Sequence, residues 1–269
     1  MLKTRVATAL VLLALLLAVL FWLPPLAGAG FLLAVVLMGA WEWAAFAGLG
    51  APAARLGYVL ATLALCAGGW ALASDAAGLA RLMQVAALWW GIALLWLSLA
   101  PHRITRPAAA IAGLLVLAPA FVGLARLLAQ PSPPQGALKL LGMLVIVWAA
   151  DIGAYFAGRR FGRLKLAPAV SPNKTWEGVL GGVVLALVVA LVVARWSGTP
   201  ALPFAALALA VVCASIVGDL TESLFKRFAG LKDSGGLLPG HGGVLDRIDS
   251  ITAAVPFYVL GLGWLGRLS

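Results

Sequence analysis

The chain has 269 residues, of which 64% are hydrophobic and only 10% carry a charge, and its mean hydropathy is +1.07. Soluble globular chains have about 25% charged residues, so this composition excludes an ordinary soluble domain. Nineteen Lys and Arg residues against nine Asp and Glu residues give a formal net charge of +10. Such an excess is typical of a membrane-topology signal with attraction to anionic lipid, or of a site for a polyanionic substrate.

Apolar runs long enough to cross a bilayer as helices, about 20 residues each, fill most of the chain. They lack the two-residue alternation of a membrane β-barrel, so the predicted fold class is all-α, a polytopic integral membrane protein. Polar and Gly/Pro breaks predict nine helices, at 5–23, 27–48, 55–74, 81–100, 107–128, 137–158, 175–196, 201–227 and 245–266. The first run is longer than the core of a cleavable signal peptide, and we interpret it as a retained span.

The basic residues predict the orientation of these spans. With a cytoplasmic N-terminus, most of the nineteen Lys and Arg residues fall on the cytoplasmic side. Those on the opposite side are Arg81, Arg126, Lys139, Arg195 and Arg267. The two longest polar connections, 159–174 and 226–247, then lie on the same cytoplasmic face, where they can meet.

Polar residues are distributed unevenly between two parts of the chain. Residues 1–130, about five spans, hold few polar groups and are predicted to be a membrane scaffold, whereas residues 131–269, about four spans, are predicted to be the catalytic region. Glu42 is an exception in the scaffold, near the middle of its predicted span, where an ionisable group is costly. It is either neutral and hydrogen-bonded or functional. Asp151, near the end of the sixth span, has the same two interpretations.

Five of the nine acidic residues lie in one short segment, Asp219 to Asp249. On a helix, Asp219, Ser223 and Lys226 share one face because they are four and three residues apart. Asp246 and Asp249 are also three apart, at the start of the ninth span. Carboxylates gathered at a water interface form a hard oxygen site that suits Mg²⁺ with substrate phosphates. The structural alternative makes Asp246 the helix N-cap and Asp249 an acid that complements the helix dipole.

A glycine-rich turn, GHGG at 240–243, precedes the two acids of the ninth span. Such a turn lets backbone N–H groups approach an anion closely, and Lys226, Arg227 and Lys232 add positive charge beside it. Together with the carboxylates, these features indicate a phosphate and metal site, although no Walker A pattern is present. His241 is an acid for a leaving group, a turn residue or a hydrogen-bond donor to a phosphate, and we favour the donor.

The segment SPNKTWEG, residues 171–178, lies in the other long polar connection. One interpretation is a helix start, with Ser171 or Asn173 as the cap and Glu177 in the first turn. The other is that Lys174 reaches the same cavity and holds a phosphate as a point charge.

The segment SLFKRFAGLKDSGGLLPGHGGVLDRID, residues 223–249, resembles the signature of the phosphatidate cytidylyltransferase family, the CDP-diacylglycerol synthases. SPNKTWEG resembles a second recurrent segment of that family, and the length and span count are similar over the whole chain. The resemblance implies an Mg²⁺-dependent nucleotidyltransferase of phospholipid biosynthesis that converts CTP and phosphatidic acid to CDP-diacylglycerol and pyrophosphate. It also implies a multi-pass protein of the bacterial cytoplasmic (inner) membrane, with its active site on the cytoplasmic side.

The resemblance and the residue patterns together assign roles. The predicted catalytic residues are Asp219, Lys226, Asp246, Asp249 and His241. The predicted substrate-binding residues are Ser171, Lys174, Ser223, Arg227, Lys232, Gly242, Gly243 and Arg247. Asp219, Asp246 and Asp249 are predicted to hold Mg²⁺, and a second cation such as K⁺ is left open. Asp233 either assists the metal or orients Lys232.

The expected partners are CTP, phosphatidic acid and membrane lipid, with no nucleic acid. The oligomeric state is left open, with a homodimer as one alternative. The nearest rival function is a CTP-dependent isoprenoid-alcohol kinase, which would release CDP instead of pyrophosphate. A CDP-alcohol phosphotransferase would need an Asp-Gly-x-x-Ala-Arg array, which this sequence lacks. A membrane transporter would place polar residues through the membrane depth rather than at one face.

Overall fold

The computed structural model describes residues 2–130, 132–237 and 242–268. In these ranges the chain forms nine helices and two short strands. They are α1 (Leu2–Phe21), α2 (Pro25–Phe46), α3 (Pro52–Leu72), α4 (Ala76–Leu99), α5 (Arg106–Leu128), α6 (Pro133–Phe161), β1 (Lys165–Ala167), β2 (Ser171–Thr175), α7 (Trp176–Ser197), α8 (Ala201–Phe228) and α9 (Leu245–Trp264). The predicted all-α class is confirmed. The largest boundary difference is at α4, which is predicted to start at 81 and begins at Ala76.

The helix starts follow local chemistry. Proline at the first or second position begins α2, α3, α5 and α6, where a missing N–H costs little. Asp75 and Thr105 cap α4 and α5 by accepting the N–H groups of Gly78 and Ala108. Gly198, with a φ of 63°, ends α7 in the left-handed conformation.

Seven helices in the described ranges, α2 to α8, are long and apolar enough to cross a membrane. Their outward faces carry large exposed apolar side chains, among them Leu26, Leu72, Leu99 and Trp196. Such faces are unfavourable in water and suit contact with lipid, so the chain is a multi-pass membrane protein. The other two predicted spans correspond to α1, with its apolar part at Ala7–Phe21, and to α9, which carries polar residues at its start.

Close helix crossings position the polar end of the bundle. A Cβ atom on Gly153 of α6 would lie 2.5 Å from the carbonyl oxygen of Gly181 on α7. A Cβ atom on Gly218 of α8 would lie 2.6 Å from the carbonyl oxygen of Asp249 on α9. Because only glycine allows these approaches, α8 and α9 meet beside Asp219 and Asp249.

The antiparallel hairpin of β1 and β2 connects α6 to α7 and was not predicted. Ser171 begins β2, so the predicted cap at Ser171 or Asn173 is wrong. The cap of α7 is Thr175, whose side chain accepts the N–H of Gly178.

Glu177 lies in the first turn of α7, as predicted. Its carboxylate accepts the backbone N–H groups of Arg163 and Leu164, each at 3.1 Å. These bonds fasten the end of α6 to the start of α7, so the hairpin between them has a defined position.

Candidate active site

The last turns of α8 present four polar side chains, from Asp219, Glu222, Ser223 and Lys226. The hydroxyl of Ser223 lies 3.4 Å from Asp219 Oδ1 and donates to it, as the four-residue spacing predicts. Lys226 Nζ lies 3.5 Å from Glu222 Oε1. Glu222 was not selected from the sequence, although its spacing from Lys226 is the same as that of Ser223 from Asp219.

The two polar connections that were predicted to meet do so at the hydrogen bond from Arg227 to the carbonyl oxygen of Val170. The hairpin also contacts α8 through Lys174. Its Nζ lies 2.6 Å from Asp219 Oδ2, which joins the hairpin to α8. Arg227 strengthens this junction, because its guanidinium donates to the carbonyl oxygens of Val170 and Leu231, each at 3.4 Å. Arg227 therefore holds the hairpin in this structure, and its role toward phosphate stays a prediction.

Asp246 joins α8, α9 and the loop between them. Its Oδ1 lies 2.6 Å from Lys226 Nζ. Its Oδ2 accepts the N–H groups of Ser234 at 3.0 Å and Gly243 at 2.9 Å, and the Ser234 hydroxyl lies 3.0 Å away. The structural alternative with Asp246 as an N-cap is wrong, because the N-cap is Val244 and Asp246 lies in the first turn.

In the described part of the glycine-rich turn, residues 242–243, one backbone N–H meets an anion. Gly242 has a φ of 79°, and a Cβ atom there would lie 2.7 Å from Asp246 Oδ2. In this structure, however, the anion that the Gly243 N–H meets is the Asp246 carboxylate. A role for these two glycines toward a substrate phosphate stays a prediction. His241 lies outside the described residues.

Glu222, which is buried, and Asp249, which is half-buried, are neighbouring acids. Glu222 is 2% exposed, and its carboxylate forms an ion pair with Lys226 at 3.5 Å but accepts no hydrogen bond from the described residues. The carboxyl of Asp249 lies against it, with Asp219 also nearby. Glu222, Asp249, Thr221 and Thr252 line a small cavity with room for about one water molecule. Two neighbouring carboxyls of which one is buried favour a proton or a cation between them.

Three further predicted residues lie close to residues of this centre along the chain. Ser171 is half-buried at the start of β2, whereas Lys232, after α8, and Arg247, in the first turn of α9, are exposed. Asp151 of α6 interacts electrostatically with two acids of the centre. Asp151 is exposed, and both interpretations of it stay predictions.

Glu42 also reaches this centre. It lies in the last turns of α2, not near the middle of a span as predicted. It is buried and hydrogen-bonded to the start of α9. A residue of the predicted scaffold thus contacts the predicted catalytic region.

The oxygen donors of this centre suit a hard cation, yet the described residues do not form a complete ligand cluster. Within them, no group of three His, Cys, Asp or Glu side chains is arranged to hold a metal ion. Asp219 is paired with Lys174, and Asp246 is satisfied by Lys226 and the loop. The oxygens of Glu222 beside Asp249 accept no hydrogen bond from the described residues and have only the 3.5 Å ion pair with Lys226, so they are the donors that best fit a cation.

A lipid-exposed helix bundle with lysines and acids gathered at one end defines a membrane protein with a site for phosphate-bearing substrates. A family model described as "Cytidylyltransferase family" matches residues 3–264, and the chain belongs to this family. It is 43% identical over 281 residues to the phosphatidate cytidylyltransferase of Haemophilus influenzae, covering 96% of this chain and 97% of that protein. It is 46% identical over 274 residues to the Pseudomonas aeruginosa protein of the same name, covering 98% and 99%.

Proposed function

We propose that this chain transfers the cytidylyl group of CTP to phosphatidic acid, which gives CDP-diacylglycerol and pyrophosphate. The observation that carries the proposal is the pair of lysine–aspartate contacts, Lys174 with Asp219 and Lys226 with Asp246, at one end of the bundle. Cations at this level can bind a triphosphate from water and a lipid phosphate from the bilayer. The near full-length similarity to relatives named phosphatidate cytidylyltransferase supports the same reaction.

In this reaction a phosphate oxygen of phosphatidic acid attacks the α-phosphorus of CTP. A new P–O bond forms, the bond from the α-phosphorus to the bridging oxygen of the β-phosphate breaks, and pyrophosphate leaves with that electron pair. A phosphate monoester has a second pKa of about 6, so the nucleophile is ionised near neutral pH and no side chain has to remove a proton. The protein must place two anions in line and offset their repulsion.

Lys174 and Lys226 are the cations best placed for this task. The Lys174 side chain is 27% exposed at the edge of the centre, and we assign it to the phosphates of CTP. The Lys226 side chain is 12% exposed and lies deeper, beside Asp246. Arg247 and Lys232 are exposed close by and add positive charge that attracts both substrates.

We further propose that Mg²⁺ binds among the acids, with Asp219, Asp249 and Glu222 as the residues that would hold it. Asp246, the third predicted ligand, already accepts bonds from Lys226 and the loop. A magnesium ion bound there would neutralise charge on the triphosphate. The Glu222 oxygens support a cation at this place, because they accept no hydrogen bond from the described residues and Lys226 is 3.5 Å away. For Asp219, such a cation and Lys174 are alternative partners.

We propose that the site faces the cytoplasm of a bacterium, from its inner membrane. The polar segments 159–174 and 226–247, which include most of the hairpin and the loop after α8, lie at the same end of the bundle and contain nine of the twelve basic residues in 131–269. An excess of Lys and Arg in short connections is typical of the cytoplasmic side.

A product assay tests the proposed reaction. Purified protein in lipid micelles receives phosphatidic acid, Mg²⁺ and CTP labelled at its α-phosphorus. We expect labelled CDP-diacylglycerol and an equal amount of pyrophosphate, with neither product when the lipid is left out. Lys226→Ala should abolish both products, whereas Lys165→Ala, at an exposed position on β1, should not.

The same assay distinguishes this reaction from that of the rival isoprenoid-alcohol kinase. Labelled CDP formed only with an isoprenoid alcohol would indicate the kinase. If phosphatidic acid gives no pyrophosphate above the no-lipid control, the proposed function is rejected.

A further inference from the structure

The carboxylate of Glu42 is surrounded by hydrogen-bond donors from the loop before α9. Glu42 is 4% exposed, and its Oε1 accepts the N–H of Val244 at 3.1 Å. Its Oε2 accepts the N–H of Leu245 at 2.9 Å and lies 3.0 Å from the hydroxyl of Ser234. These bonds connect α2 to residues about 200 positions away in the sequence.

Glu42 supplies the cap that α9 lacks locally. The N-cap residue of α9 is Val244, which has no side-chain acceptor for the first N–H groups of the helix. The Glu42 carboxylate fills this role and also complements the positive end of the helix dipole. A buried carboxylate is tolerated here because several donors satisfy it.

The end of α2 is itself held firmly. The ring of Trp43 packs against Phe225 of α8 with 5.3 Å between centroids, and its indole N–H donates to the carbonyl oxygen of Ala109 at 2.8 Å. The position of Glu42 is therefore set by the packing of α2, and the loop is attached to it.

Ser234 links Glu42 to the candidate active site. Its hydroxyl lies 3.0 Å from Glu42 Oε2 and 3.0 Å from Asp246 Oδ2. One hydroxyl proton can be donated to only one carboxylate at a time, so the two acids share this donor. The backbone N–H of Ser234 also donates to Asp246, which in turn holds Lys226.

The loop is shaped to admit the Glu42 carboxylate. A Cβ atom on Gly235 or on Gly243 would collide with the oxygens of Glu42. Glycine at both positions thus leaves room for a side chain from another helix, in addition to the turn geometry at Gly242.

We propose that Glu42 is a positioning residue for cytidylyl transfer: by capping α9 and sharing Ser234 with Asp246, it sets the position of the Asp246–Lys226 pair. This inference rests on the proposed function. Glu42 touches no substrate in this scheme, and it acts through the loop that carries Asp246.

Glu42→Gln tests the proposal because it keeps the side-chain size but replaces one acceptor oxygen with an NH₂ group that faces N–H donors. We expect kcat to fall by about 10²-fold, the effect of displacing a reacting group by about 1 Å. The KM values for CTP and phosphatidic acid should change much less, because Lys174 and the other exposed cations remain. Hydrogen exchange should become faster at the amides of Val244 and Leu245.

Asp75→Asn is the matched control. Asp75 caps α4 by accepting the N–H of Gly78, in a helix start away from the candidate site. The Asp75→Asn variant should keep the wild-type kcat and KM. If Glu42→Gln retains wild-type kcat, or loses activity only in proportion to the amount of folded protein, the proposal is overturned.

Ser234→Ala is the second variant, and it decides the case if Glu42→Gln does not fold. It should lower kcat, and combining it with Glu42→Gln should cost less than the product of the two effects, because both act through one connection. An unchanged kcat in Ser234→Ala, or independent effects in the double variant, would reject the proposed link. If the wild-type protein forms no CDP-diacylglycerol, the proposed function fails instead.

Discussion

The ammonium nitrogen of Lys174 on β2 lies 2.6 Å from a carboxylate oxygen of Asp219 on α8. The two side chains are 27% and 30% exposed, and ion pairs in contact with water contribute only about 0–1 kcal/mol to stability. The pair therefore places a lysine at the edge of the acid cluster more than it stabilises the fold. A phosphate that enters the centre can replace Asp219 as the partner of Lys174.

Lys174→Ala should weaken the use of CTP. A hydrogen bond to a charged group contributes about 1.5–3 kcal/mol, so we expect KM for CTP to rise by about tenfold or more, with little change in melting temperature. Lys165→Ala, on the other strand of the same hairpin, is the control for a general loss of charge. Unchanged CTP kinetics in Lys174→Ala would show that Lys174 pairs with Asp219 but does not bind CTP.

Asp246→Asn should reduce turnover by orders of magnitude. An asparagine has one acceptor oxygen, so its NH₂ group must face either Lys226 or the N–H groups of Ser234 and Gly243. We expect the melting temperature in detergent to fall as well, because a buried donor left without an acceptor costs about 1–3 kcal/mol. Asp233→Asn, at an exposed position of the same loop, shows the effect of losing a charge there. Near-normal turnover in Asp246→Asn would contradict the assignment of Asp246 to the active site.

Glu222→Gln should separate metal binding from stability. The change removes a negative charge beside Asp249 and also weakens the ion pair of Glu222 with Lys226, so the melting temperature should change little. The Mg²⁺ concentration for half-maximal activity should increase, and the rise in melting temperature caused by Mg²⁺ alone should become smaller. Asp75→Asn, which removes a charge at the start of α4 away from the candidate site, is the control that should leave the Mg²⁺ requirement unchanged. If Glu222→Gln also leaves it unchanged, the acid pair shares a proton and no cation.

Gly218→Ala should disturb the candidate site from within the bundle. The added methyl group would lie 2.6 Å from the carbonyl oxygen of Asp249, so α8 and α9 must separate. Overpacking of this kind costs about 1–3 kcal/mol, and turnover should fall as Asp249 moves. Gly263→Ala in α9 has no atom within 4 Å of the new methyl group and should be neutral or slightly stabilising. Equal melting temperatures for the two variants would contradict the tight crossing.

Cysteine labelling tests the membrane orientation. In a variant without Cys66 and Cys213, a cysteine at Lys232 should react with an impermeant reagent only from the cytoplasmic side. A cysteine at Ser197, at the far end of α7, should react only from the opposite side. Reaction of both positions from one side would reject the predicted orientation.

The helices were predictable because their signals are local. Apolar runs broken by Gly, Pro and polar residues give the ends of each span, and prolines and capping residues sharpen them. The contact between Ser223 and Asp219 was also predictable, since the two residues are four apart on one helix. These features depend on neighbours in the sequence or on simple helical spacing.

The contacts that sequence reasoning missed depend on distant parts of the chain. Nothing near Glu42 indicates that it caps a helix that starts at Leu245. Ser171 and Asn173 of the hairpin predict a helix start because both residue types are good caps. That Thr175 is the cap instead depends on the packing of α6 against α7. Glu222 resembled any other acid on a helix, and its role is visible only once Asp249 lies beside it.

The candidate site lies where α2 and α8 end and α9 begins, next to the exposed apolar faces of the bundle. A phosphatidic acid molecule whose phosphate reaches Lys226 can keep its acyl chains in the same leaflet, and so can the liponucleotide product. Substrate supply is then two-dimensional diffusion within the membrane. Turnover should follow the mole fraction of phosphatidic acid in the bilayer, not its amount per volume of solution.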